Sequence, residues 1–435
     1  MKYTFLCVIS VLLLHGCTSP ESSWQFNVKD YGATADGETL TTAAIQRAID
    51  EAHSKGGGTV YFPPGKYLTG TLIFKDKVSI HFESGAELIG SKRLEDYPGE
   101  KKSLIVGDNL ADVKVSGKGI INGNGEAFWD ENYKALERPE PWIFLKNCSN
   151  LTIEGIKFIQ SPSHVIRLED SEDVTFDDIT IINDFRGPNT DGIDIVDSKY
   201  VTISNSFIST GDDAICLKTK DEFVEHVVVT NCILESDDAA IKFGTGSKVG
   251  TRFCTFSNIT INRTRYGISL FMLDGGIYEH NIFSNLTITG GSRHQHEYPI
   301  FIDIDKRVPD RPYGRVRDNI FSNIKIVSSG KILVAGHPES KIEELEFDNI
   351  SFHIIENTDF SSARKPRGNK NYPKLETSED LSPENGTFVF GHIENLSLTD
   401  LKVTYEEGVS SERPVLFTKA IDQLERRDIR NIKPN

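Results

Sequence analysis

The chain has 435 residues and a formal net charge of −16, from 64 acidic and 48 basic side chains. That balance lacks the basic footprint that phosphate backbones require, which excludes nucleic acid as a partner. The six cysteines, at 7, 17, 148, 216, 232 and 254, form no CxxC pair, and no segment has the spacing of a calcium loop, so neither a metal nor a cofactor is implied.

From the N-terminus, Lys2 precedes an apolar run from Phe5 to Leu14 that is too short for a lasting membrane-spanning helix. Residues 18–23 are polar, and residues 1–17 read as an export signal. Cys17 follows the small Gly16 and resembles the cysteine of a bacterial lipobox. That resemblance implies lipidation of Cys17, with membrane contact only through this anchor and a periplasmic or cell-surface location. Further on, Ala44, Ile45, Ala48, Ile49 and Ala52 share one face of a helix that ends at Gly56-Gly57-Gly58.

A repeat then dominates. Units beginning at Asn150, Asp173, Tyr200, His226, Asn281, Asn319 and Glu344 each read as two short strands rich in Val, Ile, Phe and Thr, joined at a polar turn. A third short strand follows many of them, and its aligned isoleucines are Ile166, Ile193, Ile215, Ile241 and Ile268. The steps between these are 27, 22, 26 and 27 residues. Three short strands per coil, each coil unable to bury its apolar side alone, define a solenoid. The expectation is an all-β, single-domain right-handed parallel β-helix over residues 24–435, with the helix near residue 45 capping its first coil. Residues 357–386 read as a polar loop. The four cysteines of the repeat region are expected to be buried free thiols.

Stacked coils lie about 4.8 Å apart, so equal offsets from the aligned isoleucine form columns. Two positions before it the column reads Asp191, Asp213, Ala239, Tyr266; three before, Thr190, Asp212, Asp238, Arg265. Two readings fit the crowded acids. One is a ladder of turn caps. The other is glycoside hydrolysis with inversion, where one carboxylic acid protonates the leaving oxygen and a carboxylate about 6.5–9.5 Å away activates water. Crowding splits carboxyl pKa values and keeps one acid protonated.

The same residues resemble glycoside hydrolase family 28, the polygalacturonases and their relatives. The likeness runs through residues 28–37, 61–67, 70–74 and 121–129. It is most specific at Asn189-Thr190-Asp191 and Gly211-Asp212-Asp213. It implies Asp212 as general acid, with Asp191 and Asp213 holding and deprotonating the water. It also implies a pectic polysaccharide or oligosaccharide as partner. The family's Gly-His-Gly falls at Asp238-Ala239-Ala240, and its Arg-Ile-Lys at Ser269-Leu270-Phe271, so the His and both cations are missing. Lys218 and Lys242 are the cations left near the acid columns. Together with Asn189, Asp194 and Asp238 they form the expected substrate-binding set. Asp237 and Asp238 add acid where the family has none.

Weaker signals read as packing or solvated surface. These are Trp129 and Trp142, the basic runs at 364–374 and 306–317, and His226, His280, His294 and His296. Two rivals share the fold: a polysaccharide lyase, and a carbohydrate-binding protein without catalysis.

Overall fold

A computed structural model describes residues 24–294, 296–360 and 376–433. The export signal, Cys17 and the basic run at 364–374 lie outside the described residues. Every pairing between its strands is parallel, and the strands join in one 36-stranded sheet wound into a right-handed helix. The aligned third strands stack as read from sequence: Ile143 pairs with Ile166, then Ile193, Ile215, Ile241, Ile268 and Ile300.

Alternation within each short strand sends one residue inward and the next outward. The inward column gains apolar burial and ring contacts from coil to coil. Phe256, Phe283, Phe321 and Phe347 stack with centroids 5.2, 4.8 and 4.8 Å apart and ring planes within 12°. At the turns between the first two strands, Asn205, Asn231, Asn258, Asn285, Asn323 and Asn349 all take left-handed φ values of 52–57°. Asn tolerates that region better than most residues, and its amide donates to the Asn of the preceding coil, as in Asn349 Nδ2 to Asn323 Oδ1 at 2.8 Å. These turns are why the repeats carry Asn at a fixed place.

Helix Thr42–Ser54 buries Ala44, Ile45, Ala48, Ile49 and Ala52 against the first coils, the face expected of a cap. Cys148, Cys216, Cys232 and Cys254 are free and buried. The segment read as a polar loop carries a short helix, Glu376–Leu381. Its Leu381 is fully buried in an apolar cluster with Tyr298, Phe301, Leu333 and Val389. A six-residue helix with a single docked leucine leaves no periodic signature, which is why sequence patterning missed it.

Candidate active site

Two tight turns set the acids. Thr190 stitches them: its hydroxyl donates to Gly187 O at 3.1 Å and accepts from Gly211 N at 3.1 Å. Gly211 must lack a side chain, because a Cβ there would meet Gly187 O at 2.5 Å and Asp184 O at 2.6 Å. The Asp212 carbonyl is held by Thr210 Oγ1 at 2.6 Å and Ser236 Oγ at 2.8 Å. Asp191 and Asp213 then become neighbours across the strand pair 193–196 and 215–219, with Asp212 beside them. One carboxylate oxygen from each of the three lies within 4.8 Å of the others. These are nearest-oxygen distances, and they are shorter than the spacing expected of an inverting pair.

Charge is balanced unevenly around this cluster. Lys242 Nζ binds the Asp213 carboxylate directly, and both groups are nearly sealed from solvent. Lys218 Nζ bridges Asp194 at 2.7 Å and Asp191 at 3.4 Å. Asp212 has no cation within ion-pair distance among the described residues, only Asn189 Nδ2 at 3.4 Å and its neighbour's backbone N–H at 2.9 Å. Burial, with the charges of Asp191, Asp213 and Asp238 added, pushes the Asp212 carboxyl well above the usual range. Burial also lifts Asp191, to about 7, against the pull of Lys218. Burial would raise Asp194 as well, but Lys218, with Arg167 behind it, outweighs it and holds Asp194 below the usual range. The arrangement favours the protonated form of Asp212 as a proton donor, while the adjacent Asp213 is ion-paired to Lys242.

The expected substrate-binding set divides. Asn189 is exposed at the rim, where Arg138 reaches it at 3.4 Å while also donating to Pro162 O at 3.0 Å. Asp238 stays on the accessible edge, 3.5 Å from Arg265. Asp194 is corrected: its carboxylate is fully buried beneath Asp191, so it cannot touch a polymer and acts only through Lys218 and its other neighbours. Lys218 and Lys242 are likewise committed to the acids and are not spare cations for a substrate carboxylate. Asp237 is gripped by Arg293, Nε to Oδ1 at 2.9 Å, and lies 3.6 Å from His294. Burial opposes its ionisation, yet His294 and Arg293 hold it at about 2.

Sequence reasoning missed His164. It occupies the Asp191–Asp213 column one coil earlier, with Nε2 3.5 Å from Asp191 Oδ1. Burial holds its pKa below the ordinary value. The signal was present, since His164 stands two before the aligned Ile166, but the column was begun one coil too late. The weaker clusters resolve as packing. Trp129 and Trp142 are buried. Arg307 pairs with Asp274 at 2.9 Å, Arg315 with Glu343 at 2.9 Å and Arg317 with Glu279 at 2.5 Å. His226 and His280 alternate with Tyr200 and Phe253 in a stacked ladder, centroids 5.1–5.5 Å apart.

The parallel β-helix and the comparisons with known proteins support a glycoside hydrolase. The sequence model described as Glycosyl hydrolases family 28 matches residues 59–234. Polygalacturonase-2 of Solanum lycopersicum is 26% identical over 71% of this chain and 70% of its own length. A probable polygalacturonase of Vitis vinifera is 30% identical over 44% of this chain, which spans 43% of it. The family 28 exopolygalacturonase structure of Yersinia enterocolitica aligns with TM-score 0.67 at 19% identity, covering 92% of this chain and 78% of that one. Over residues 59–234 the chain is thus similar to glycoside hydrolase family 28, and over most of its length to a polygalacturonase.

Proposed function

We propose that the protein hydrolyses glycosidic bonds in pectic polysaccharide or oligosaccharide, of galacturonan or rhamnogalacturonan type, with inversion at the anomeric carbon. Asp212 protonates the leaving oxygen; Asp191 and Asp213 hold the water and take its proton. The observation that carries this reading is the uneven cluster: three carboxylates with oxygens within 4.8 Å of one another, of which Asp213 is paired to Lys242 and Asp212 is pushed towards its protonated form by burial. Inversion leaves a proton on the base side and removes one from the acid side, and the contact between the acids gives a short route for its return. No group on the reacting face is called on to ligate a metal. The reading also takes residues 24–435 as one exported domain, lipid-anchored at Cys17.

The positions where the family carries Arg and Lys, Ser269 and Phe271, are fully buried here. A substrate carboxylate is therefore not gripped at those points, and cations that reach the surface nearby are Arg265, part-exposed beside Asp238, and Arg293 on Asp237. A lyase needs a free base to take the proton beside a uronate carboxyl. Lys218 and Lys242 are both bound to carboxylates, which counts against that rival.

One observation favours a second reading of the stereochemistry. The acids lie closer than inverting pairs usually do, and a short spacing suits direct attack by a carboxylate, with retention. The activity itself is tested by reducing-end release from a panel of pectic polymers, with the Asp191→Asn, Asp212→Asn and Asp213→Asn variants beside wild type. The expected result is release by wild type alone from at least one galacturonate-containing polymer. Release undiminished in all three variants would overturn the assignment.

A further inference from the structure

The first strand of each coil carries its own outward face, on another side of the β-helix from the acids. In its turn-side column, Asn150 and Asp173 come first and Asp318 comes last. Between them stand Tyr200, His226, Phe253 and His280, stacked with centroids 5.1, 5.5 and 5.2 Å apart. All seven positions take left-handed φ values of 50–56°. Asn and Asp enter that region at little cost, whereas a bulky side chain there is an outlier. Four aromatic residues held there in succession point to a use beyond making the turn.

Two further columns run beside the rings. Thr202, Val228, Thr255, Ile282 and Ile320 form one, and Ser204, Thr230, Ser257, Ser284 and Ser322 the other. Tyr200, Val228, Phe253 and Ile282 are 39–49% exposed. Rings, methyl groups and hydroxyls thus make a band over the four coils that carry the rings, with no Asp, Glu, Lys or Arg in these columns, on a chain of net charge −16. Exposed apolar surface gathered in one place marks a binding surface. Along the turn side of the band the charges cancel in pairs. Lys199 meets Glu172 at 3.1 Å, Arg252 meets Glu225 at 2.6 Å and Arg317 meets Glu279 at 2.5 Å.

Both ends of the band are acidic, with Asp173 and Asp177 before it and Glu344 and Glu346 after it. Those ends restrict the partner. A second copy laid on the band, parallel or antiparallel, would set acid against acid, and an anionic membrane would be repelled at both ends. An uncharged partner meets neither cost. The rings recur at a nearly constant spacing along the β-helix axis, so the complement is a straight, flat chain of similar repeat. Its C–H groups would cover Val228, Ile282 and the ring edges, and its hydroxyls would meet the Thr and Ser columns.

We propose that this band binds an extended, uncharged β-1,4-linked polysaccharide laid along the β-helix axis, as a holding site separate from the acid cluster. The inference does not depend on the hydrolase reading.

The test is depletion of the whole protein from solution by microcrystalline cellulose. Wild type and Asp212→Asn are expected to bind alike, because the acids lie on another side. Val228→Asp with Ile282→Asp, if folded by circular dichroism, is expected to weaken binding about tenfold or more, since charge replaces two exposed apolar groups. Phe253→Asn supplies the residue type that the turn suits, and it is expected to weaken binding while the fold persists. Unchanged binding in Phe253→Asn would overturn the part given to the rings. Failure of wild type to bind cellulose, or loss of binding in Asp212→Asn, would overturn the proposal. A dimer by sedimentation that turns monomeric in Val228→Asp with Ile282→Asp would overturn it too, as would capture by phosphatidylcholine vesicles through the same residues. None of these outcomes decides the hydrolase reading, which stands or falls on reducing-end release.

Discussion

The two ends of one column have opposite fates. On the N-terminal side of Asp194 the outward residues are Ile73, Val106, Phe144 and Arg167, in register one above another. Ile73 is 40% exposed, Val106 and Arg167 are part-exposed, and Phe144 alone of the four is buried. On the C-terminal side, Phe301, Leu333 and Val389 have no exposure at all. Strand geometry and register are the same in both halves. What differs is what lies on them: helix Glu376–Leu381 docks Leu381 on the C-terminal side chains, while Asp194, Cys216, Lys242 and Ser269 between the two regions are buried as well. A solenoid fixes where side chains point, and its insertions decide which of them meet substrate.

The largest expected effect lies at the boundary between these halves. Asp212→Asn removes the proton donor, and activity is expected to fall by about 10²–10⁴, the usual contribution of general acid catalysis, with the fold unchanged by circular dichroism. Lys242→Met comes next. It leaves Asp213 buried without its cation, which costs about 3–5 kcal/mol when a buried pair loses one member. Chemical denaturation measures that loss, and adding Asp213→Asn in the same chain is expected to recover most of the stability and none of the activity.

A smaller effect is expected from His164→Leu, on the open side. His164 faces Asp191 together with Lys218, Asp194, Asp213 and Lys242. Burial keeps the imidazole neutral, so near neutral pH it offers Asp191 a dipole and no charge. Losing it raises the pKa of Asp191 above about 7, and the acidic limb of the pH–rate profile moves to higher pH. A purely structural role for His164 would lower kcat and leave the limb in place.

The smallest is a gain in stability. The folded pKa of Asp212 lies above its unfolded value of 3.8, so its contribution is most favourable below pH 3.8 and is lost as pH rises through the folded pKa. Asp212→Asn is therefore expected to melt higher than wild type at pH 7 and equally at pH 3. A lower melting temperature at pH 7 would show that Asp212 is ionised and satisfied.

Much of this was legible in the sequence, for a physical reason. A period of 22 to 27 residues fixes which side chains stack, so Asp191, Asp212 and Asp213 could be brought together by counting from Ile193 and Ile215. The capping helix followed from its apolar stripe. Counting gives columns and does not give partners. It placed Lys218 and Lys242 beside the acids, yet offered them to the substrate when the acids themselves bind them. It offered Asp194 to the substrate without showing that its side chain is fully buried and bound by Lys218. The docked helix was beyond its reach, because Glu376–Leu381 contributes one apolar side chain and packs on strands that include ones far from it in the chain.

The most direct test is the anomeric configuration of the first product, followed by NMR within seconds of mixing wild-type protein with the polymer it cleaves. The account predicts a newly formed reducing sugar of inverted configuration that later mutarotates, and no such signal with Asp212→Asn. A first product of retained configuration, or one carrying an unsaturated ring, would contradict it.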